Sequence, residues 1–91
     1  MRVLRPCRST AGFTCTPSRN GSLDLDRAAD ALSRAGFKVR NVEVMLITNR
    51  EEETTVYSSG KLLIKTKDES VARRVSDEIY RVLGESGMVV D

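Results

Sequence analysis

The run Thr54-Thr55-Val56-Tyr57-Ser58-Ser59-Gly60-Lys61-Leu62-Leu63-Ile64 decides the fold. Its two ends are rich in β-branched, aromatic and aliphatic residues, which suit a pleated surface, and its middle is polar and short. Gly60 supplies the positive φ that a tight connection demands, so Thr54–Ser58 and Leu62–Thr66 read as two strands of a hairpin. Side chains alternate across a strand. Val56, Leu62 and Ile64 therefore share one face, and Tyr57 and Leu63 share the opposite one.

Both flanks of the hairpin lead into helical periodicity. Downstream, Val71, Val75, Ile79 and Val82, flanked by Ala72 and Leu83, form a wide apolar stripe. Asp68 suits its N-cap, Glu69 adds negative charge to its first turn, and Gly84 is placed to stop it. Upstream, Leu25, Ala28, Ala29, Leu32 and Ala35 recur at three- and four-residue spacing. This predicts a helix over Leu23 to Ala35, capped by Asp24 or Ser22 and closed by Gly36. Between that helix and the hairpin, Phe37 to Thr48 reads as one strand, with Val42, Val44 and Leu46 on one face and Glu43, Met45 and Ile47 on the other. Asn49-Arg50-Glu51-Glu52-Glu53 reads as a polar loop.

The two ends are less regular. Pro6, Gly12, Pro17 and Gly21 disfavour a helix over 1–21, where Phe13-Thr14-Cys15-Thr16 is the best strand candidate. The expected organisation is a basic, partly ordered extension over 1–21 with short strands at most, an α+β domain over 22–84, and a tail over 85–91. In that tail, Met88-Val89-Val90 either adds an edge strand or stays loose.

Ninety-one residues, 40% hydrophobic and 31% charged, suit one core and an ordinary globular domain. No run reaches the roughly 18 apolar residues of a membrane span, and the N-terminus lacks the apolar core of a signal peptide. With two cysteines, Cys7 and Cys15, the expectation is a reduced, cytoplasmic setting without a membrane. Of the 15 basic residues, Arg2, Arg5, Arg8 and Arg19 precede residue 21, whereas all 13 acidic residues follow it.

Two striped helices and an antiparallel sheet predict a two-layer α+β sandwich with both helices on one sheet face. The other face would then lie open, with Tyr57 and Leu63 on it and Met45 and Ile47 beside them. A half-apolar open face is either an interaction surface or the seam of an oligomer.

The Ser-Gly-Lys hairpin between apolar strands, followed by a helix ending Glu78-Ile79-Tyr80-Arg81-Val82-Leu83, resembles one repeat of the TATA-box-binding protein family. The order helix, strands, helix over Leu23 to Leu83 is similar to one half of that family's saddle. It also looks like small archaeal proteins built on a single such unit. The resemblance implies an open sheet face that meets the DNA minor groove and inserts paired phenylalanines between base steps. On that basis Tyr57 matches one phenylalanine, Thr55 a neighbouring apolar contact, and Leu63 and Lys65 positions on the adjacent strand. The second phenylalanine would fall near Arg40, where this chain has none.

Catalytic and cofactor chemistry finds little material. The chain has no histidine, the usual proton carrier near neutral pH and a common zinc ligand. Its two cysteines lack Cys-x-x-Cys spacing, and its glycines match no phosphate-binding pattern. Glu51, Glu52 and Glu53 are consecutive and so do not converge on one cation. No catalytic residue, metal site or cofactor is assigned, and the chain is expected not to be an enzyme. Arg73, Arg74 and Arg81 are expected to face solvent and pair with Glu69, Asp77 or Glu78.

The leading expectation is a non-enzymatic binding module. Its open face, centred on Tyr57 and Leu63 with Thr55, Lys61 and Lys65, engages a protein partner or a second copy in a homodimer. The alternative is a nucleic-acid binder that adds an arm of Arg2, Arg5 and Arg8 to contact phosphates. A third is a small enzyme or accessory subunit that uses Cys7 or Cys15.

Overall fold

The computed structural model describes residues 3–7, 12–17, 23–85 and 87 of the chain. The elements are β1 (Val3–Cys7), β2 (Gly12–Thr16), α1 (Leu25–Arg34), β3 (Lys38–Val42), β4 (Met45–Asn49), β5 (Glu53–Tyr57), β6 (Leu62–Ile64) and α2 (Glu69–Glu85). All strands join one antiparallel sheet in the order β1-β2-β6-β5-β4-β3.

The β5–β6 hairpin forms as the sequence predicts. Gly60 has φ +93°, and Tyr57 N–H donates to the Lys61 carbonyl across the turn at 2.9 Å. Both helices begin on aspartate caps, which satisfy N–H groups that the first turn leaves without partners. Asp24 Oδ1 accepts from Asp26 and Arg27 N–H at 3.1 and 3.2 Å. Asp68 Oδ1 accepts from Ser70 N–H at 2.9 Å and Ser70 Oγ–H at 2.6 Å. Helix α1 packs on β3 and β4, α2 packs on β2 and β6, and the helices touch each other. They cover one face of the sheet.

That inner face holds the core. Cys15, Leu46, Val56, Leu62 and Ile64 from the strands meet Ala28, Leu32, Ala72, Ile79 and Leu83 from the helices, all buried. Each large aliphatic group contributes about 1.5–3 kcal/mol of burial free energy. The hydroxyls buried in this layer meet carbonyls: Thr54 Oγ1–H donates to the Glu52 carbonyl at 3.3 Å and Ser76 Oγ–H to the Arg73 carbonyl at 2.9 Å. Thr48 Oγ1–H donates to the Thr54 carbonyl at 3.0 Å, and Tyr80 O–H donates to the Gly60 carbonyl at 2.7 Å. The tyrosine thus ties α2 to the β5–β6 turn.

Three features differ from the sequence reading. Phe37 to Thr48 is a hairpin rather than one strand, with its turn at Glu43-Val44, where Glu43 takes φ 55°. A continuous twelve-residue strand would extend about 40 Å, beyond the molecule's longest dimension of 29 Å, and folding back pairs both halves. Val42 consequently sits opposite Met45 on the face away from Leu46.

Second, α2 runs through Gly84 to Glu85, and Gly87 takes the positive φ of +85°. A helical glycine costs about 1 kcal/mol relative to alanine, which the buried Ile79, Val82 and Leu83 beside it offset. Third, the strand expected at Phe13–Thr16 forms as β2, but it lies inside the sheet between β1 and β6 rather than in an extension beside it. Gly12 matters there, since a Cβ on it would lie 2.5 Å from the Ile64 carbonyl oxygen. The candidate strand Met88-Val89-Val90 lies outside the described residues.

Candidate functional site

Strand register places alternate residues on the face opposite the helices, in three transverse rows. The middle row runs Arg5, Thr14, Leu63, Thr55, Ile47, Arg40. With strands about 4.8 Å apart, its two terminal arginines stand roughly 24 Å apart. A second row contains Val42, Met45 and Tyr57 and continues to Lys61 and Thr16. A third runs Lys38, Asn49, Glu53 and Lys65. No described residue is layered over these rows, because both helices pack on the other side.

The middle of the face is apolar and only partly shielded. Tyr57, Leu63, Met45 and Ile47 are half-buried, screened by neighbours within their own layer. Tyr57 is its one aromatic residue, since Phe37 and Tyr80 are buried on the helical side and Phe13 packs against the core. Of the residues singled out in the sequence, Tyr57, Leu63, Lys61 and Lys65 fall together here. Thr55 is also on this face but is 7% exposed between Ile47 and Leu63, so it forms floor rather than a protruding contact.

The arginine arm takes a different form. Arg5 is an exposed residue of β1 within the sheet, not part of a free arm, while Arg2 and Arg8 lie outside the described residues. The position near which a second phenylalanine would fall holds Arg40, exposed at the edge of the middle row. Cys15 is buried at 3% exposure on the inner face, and the Cys7 side chain lies outside the described set.

Charge is segregated by layer. Among described residues, the strand register assigns the outer face five cations, Arg5, Lys38, Arg40, Lys61 and Lys65, against one carboxylate, Glu53. That carboxylate is itself bound to Lys65 at 2.6 Å. The helices and their aspartate caps carry eight carboxylates and five arginines. Their pairing is dense. Arg81 binds Glu78 at 2.7 Å and Glu85 at 3.1 Å, and Arg50 binds Glu78 at 3.0 Å. The hydrogen bond from Arg81 holds the Glu78 carboxyl below the usual glutamate range against an opposing desolvation, with a further hydrogen bond from Arg50 helping it.

Arg73 pairs with Glu69 as expected, at 3.6 Å, but Arg74 reaches out of its helix to Glu51. The three consecutive glutamates therefore diverge, with Glu51 bound to α2 and Glu53 to Lys65. Among the described residues no cluster of metal-ligating side chains forms, and no helix is long and apolar enough to cross a membrane.

Lys38 and Arg40 are the site residues that sequence reasoning missed. Their signal was the alternation of bases along Lys38-Val39-Arg40, hidden by taking Phe37 to Thr48 as one strand. Comparison with family models, with curated proteins and with solved structures finds no match.

Proposed function

We propose that this chain is a non-enzymatic binding module that receives a macromolecule on the uncovered face of its sheet. The observation that carries this reading is the one-sided cover: two helices shield the inner face, and among the described residues a half-apolar surface around Tyr57 and Leu63 has no second layer over it. We read the unit from β2 to α2, strand, helix, four antiparallel strands, helix, as a single half of the TATA-binding-protein type. Its element order supports that reading, as does the Ser-Gly-Lys turn.

The segregation of charge favours an anionic partner, and so nucleic acid over protein. The net charge of +2 is close to neutral, but it averages a cationic sheet face with an acidic helical layer. Cations ringing an apolar, aromatic-bearing centre suit phosphates at the rim and bases in the middle. The paired-wedge mode of minor-groove binding is not part of the proposal, because Arg40 stands where the second wedge would be.

Fluorescence anisotropy with labelled single-stranded and duplex oligonucleotides tests this. Neutralising about four phosphates gives a salt slope near −3, so affinity should fall roughly sixtyfold between 50 and 200 mM salt. Arg5→Glu with Arg40→Glu should flatten that slope, and Tyr57→Ala should weaken binding without changing it. Undetectable or salt-insensitive binding to both probes would sink the nucleic-acid reading.

A further inference from the structure

We propose that the open edge of β3 accepts an extended acidic segment of a partner protein as a seventh strand. Among the described residues the sheet ends at β1 and at β3. A terminal strand turns alternate N–H and C=O groups away from its neighbour, which makes it a template for another chain unless it is blocked. The β1 edge is blunted by the exposed Pro6, which has no N–H to offer. β3 contains neither proline nor glycine and pairs regularly with β4 along all five residues.

The side chains on β3 select the occupant. Lys38 and Arg40 project from the outer face and are exposed, and neither has a carboxylate partner among the described residues. The nearest acids by register and contact are accounted for. Asp26 accepts a hydrogen bond from Asn41 Nδ2 at 3.1 Å on the helical side, Asp30 binds Arg34, Glu53 binds Lys65, and Glu43 lies at the turn.

A second copy paired antiparallel about Arg40 would set that arginine against itself, and like charges directly opposite destabilise a sheet pair. A strand with carboxylates at alternate positions reverses the sign of the same contact. Val42 and Val44, 39% and 66% exposed, cluster at the end of this edge. They offer an apolar contact that fixes which way such a strand lies.

This inference does not rest on the nucleic-acid reading, because the backbone groups it uses lie in the plane of the sheet. The test titrates the full chain with a short peptide alternating Glu and Val, followed by amide hydrogen exchange. A second peptide of the same sequence, N-methylated at alternate residues, keeps every charge and loses half its donors.

The expected result is that the first peptide binds and slows exchange of the β3 amides that face away from β4, while the N-methylated one does not. Lys38→Glu with Arg40→Glu should weaken binding about tenfold, and Tyr57→Ala should leave it unchanged. Equal binding of both peptides, exchange protection elsewhere than β3, no binding, or a homodimer that already protects β3 would each overturn the proposal.

Discussion

The two faces of one sheet are made by the same strands and meet opposite fates. Leu62 and Leu63 are neighbours in β6, yet Leu62 is fully buried under the helices while Leu63 is half-buried on the outer face. The inner rows exclude charge and admit hydroxyls only where a carbonyl receives them, as with Thr48 and Tyr80. The outer rows mix leucine, isoleucine and tyrosine with cations at their rim. Similar apolar content thus serves cohesion on one side and leaves a surface available for contact on the other. What separates them is whether a second layer lies on top.

The sharpest way to break this comparison is to truncate the two leucines separately. Leu62→Ala should cost about 2–5 kcal/mol in urea unfolding, since it empties a packed site, whereas Leu63→Ala should cost less than about 1.5 kcal/mol, having less burial to lose. Equal losses would mean that both faces are covered in solution.

A smaller effect sharpens the account of how the helical layer is held to the inner face. Tyr80→Phe removes the donor that meets the Gly60 carbonyl inside the protein, and should cost about 1–2 kcal/mol. Its effect on binding at the outer face should be negligible. A change in the affinity for oligonucleotides comparable with that of Tyr57→Ala would show that the two faces are not separable.

The smallest effect is the response to acid. Hydrogen bonds from the Ser70 side chain, Ser70 N–H and Val71 N–H lower the Asp68 carboxyl pKa, and Arg81 and then Arg50 do the same for Glu78. Both groups have depressed folded-state values, so their contribution is present above the unfolded carboxylate range near pH 4 and is lost as pH falls through the folded values. Unfolding midpoints should therefore drop below pH 4, and less so in Asp68→Asn. Both groups are on the helical side, so nothing comparable is expected from outer-face substitutions.

Much of the fold was legible because its signals are local. Asp24, one of the two caps offered for α1, and Asp68 cap their helices, Gly60 turns the hairpin, and Val75, Ile79, Val82 and Leu83 lie on the buried side of α2. The turn at Glu43-Val44 was not legible. It carries no glycine, asparagine or proline at its two central positions, and apolar alternation runs straight across it. That one turn moved Val42 to the outer face and hid Lys38 and Arg40 from the site. Glu51 was likewise unreadable as a partner of Arg74, since the two are 23 residues apart in the chain.

By itself, then, the sequence determined the caps, the periodicities, the β5–β6 hairpin and the α+β class, because each depends on residues a few positions apart. Only the tertiary structure decided which strands lie side by side, and with that, among the described residues, the gathering of five cations on one face and the exposure of β3 as an edge. The physical reason is that a linear count of charge averages over both sides of a sheet. Strand order and register alone determine which charges face the same way.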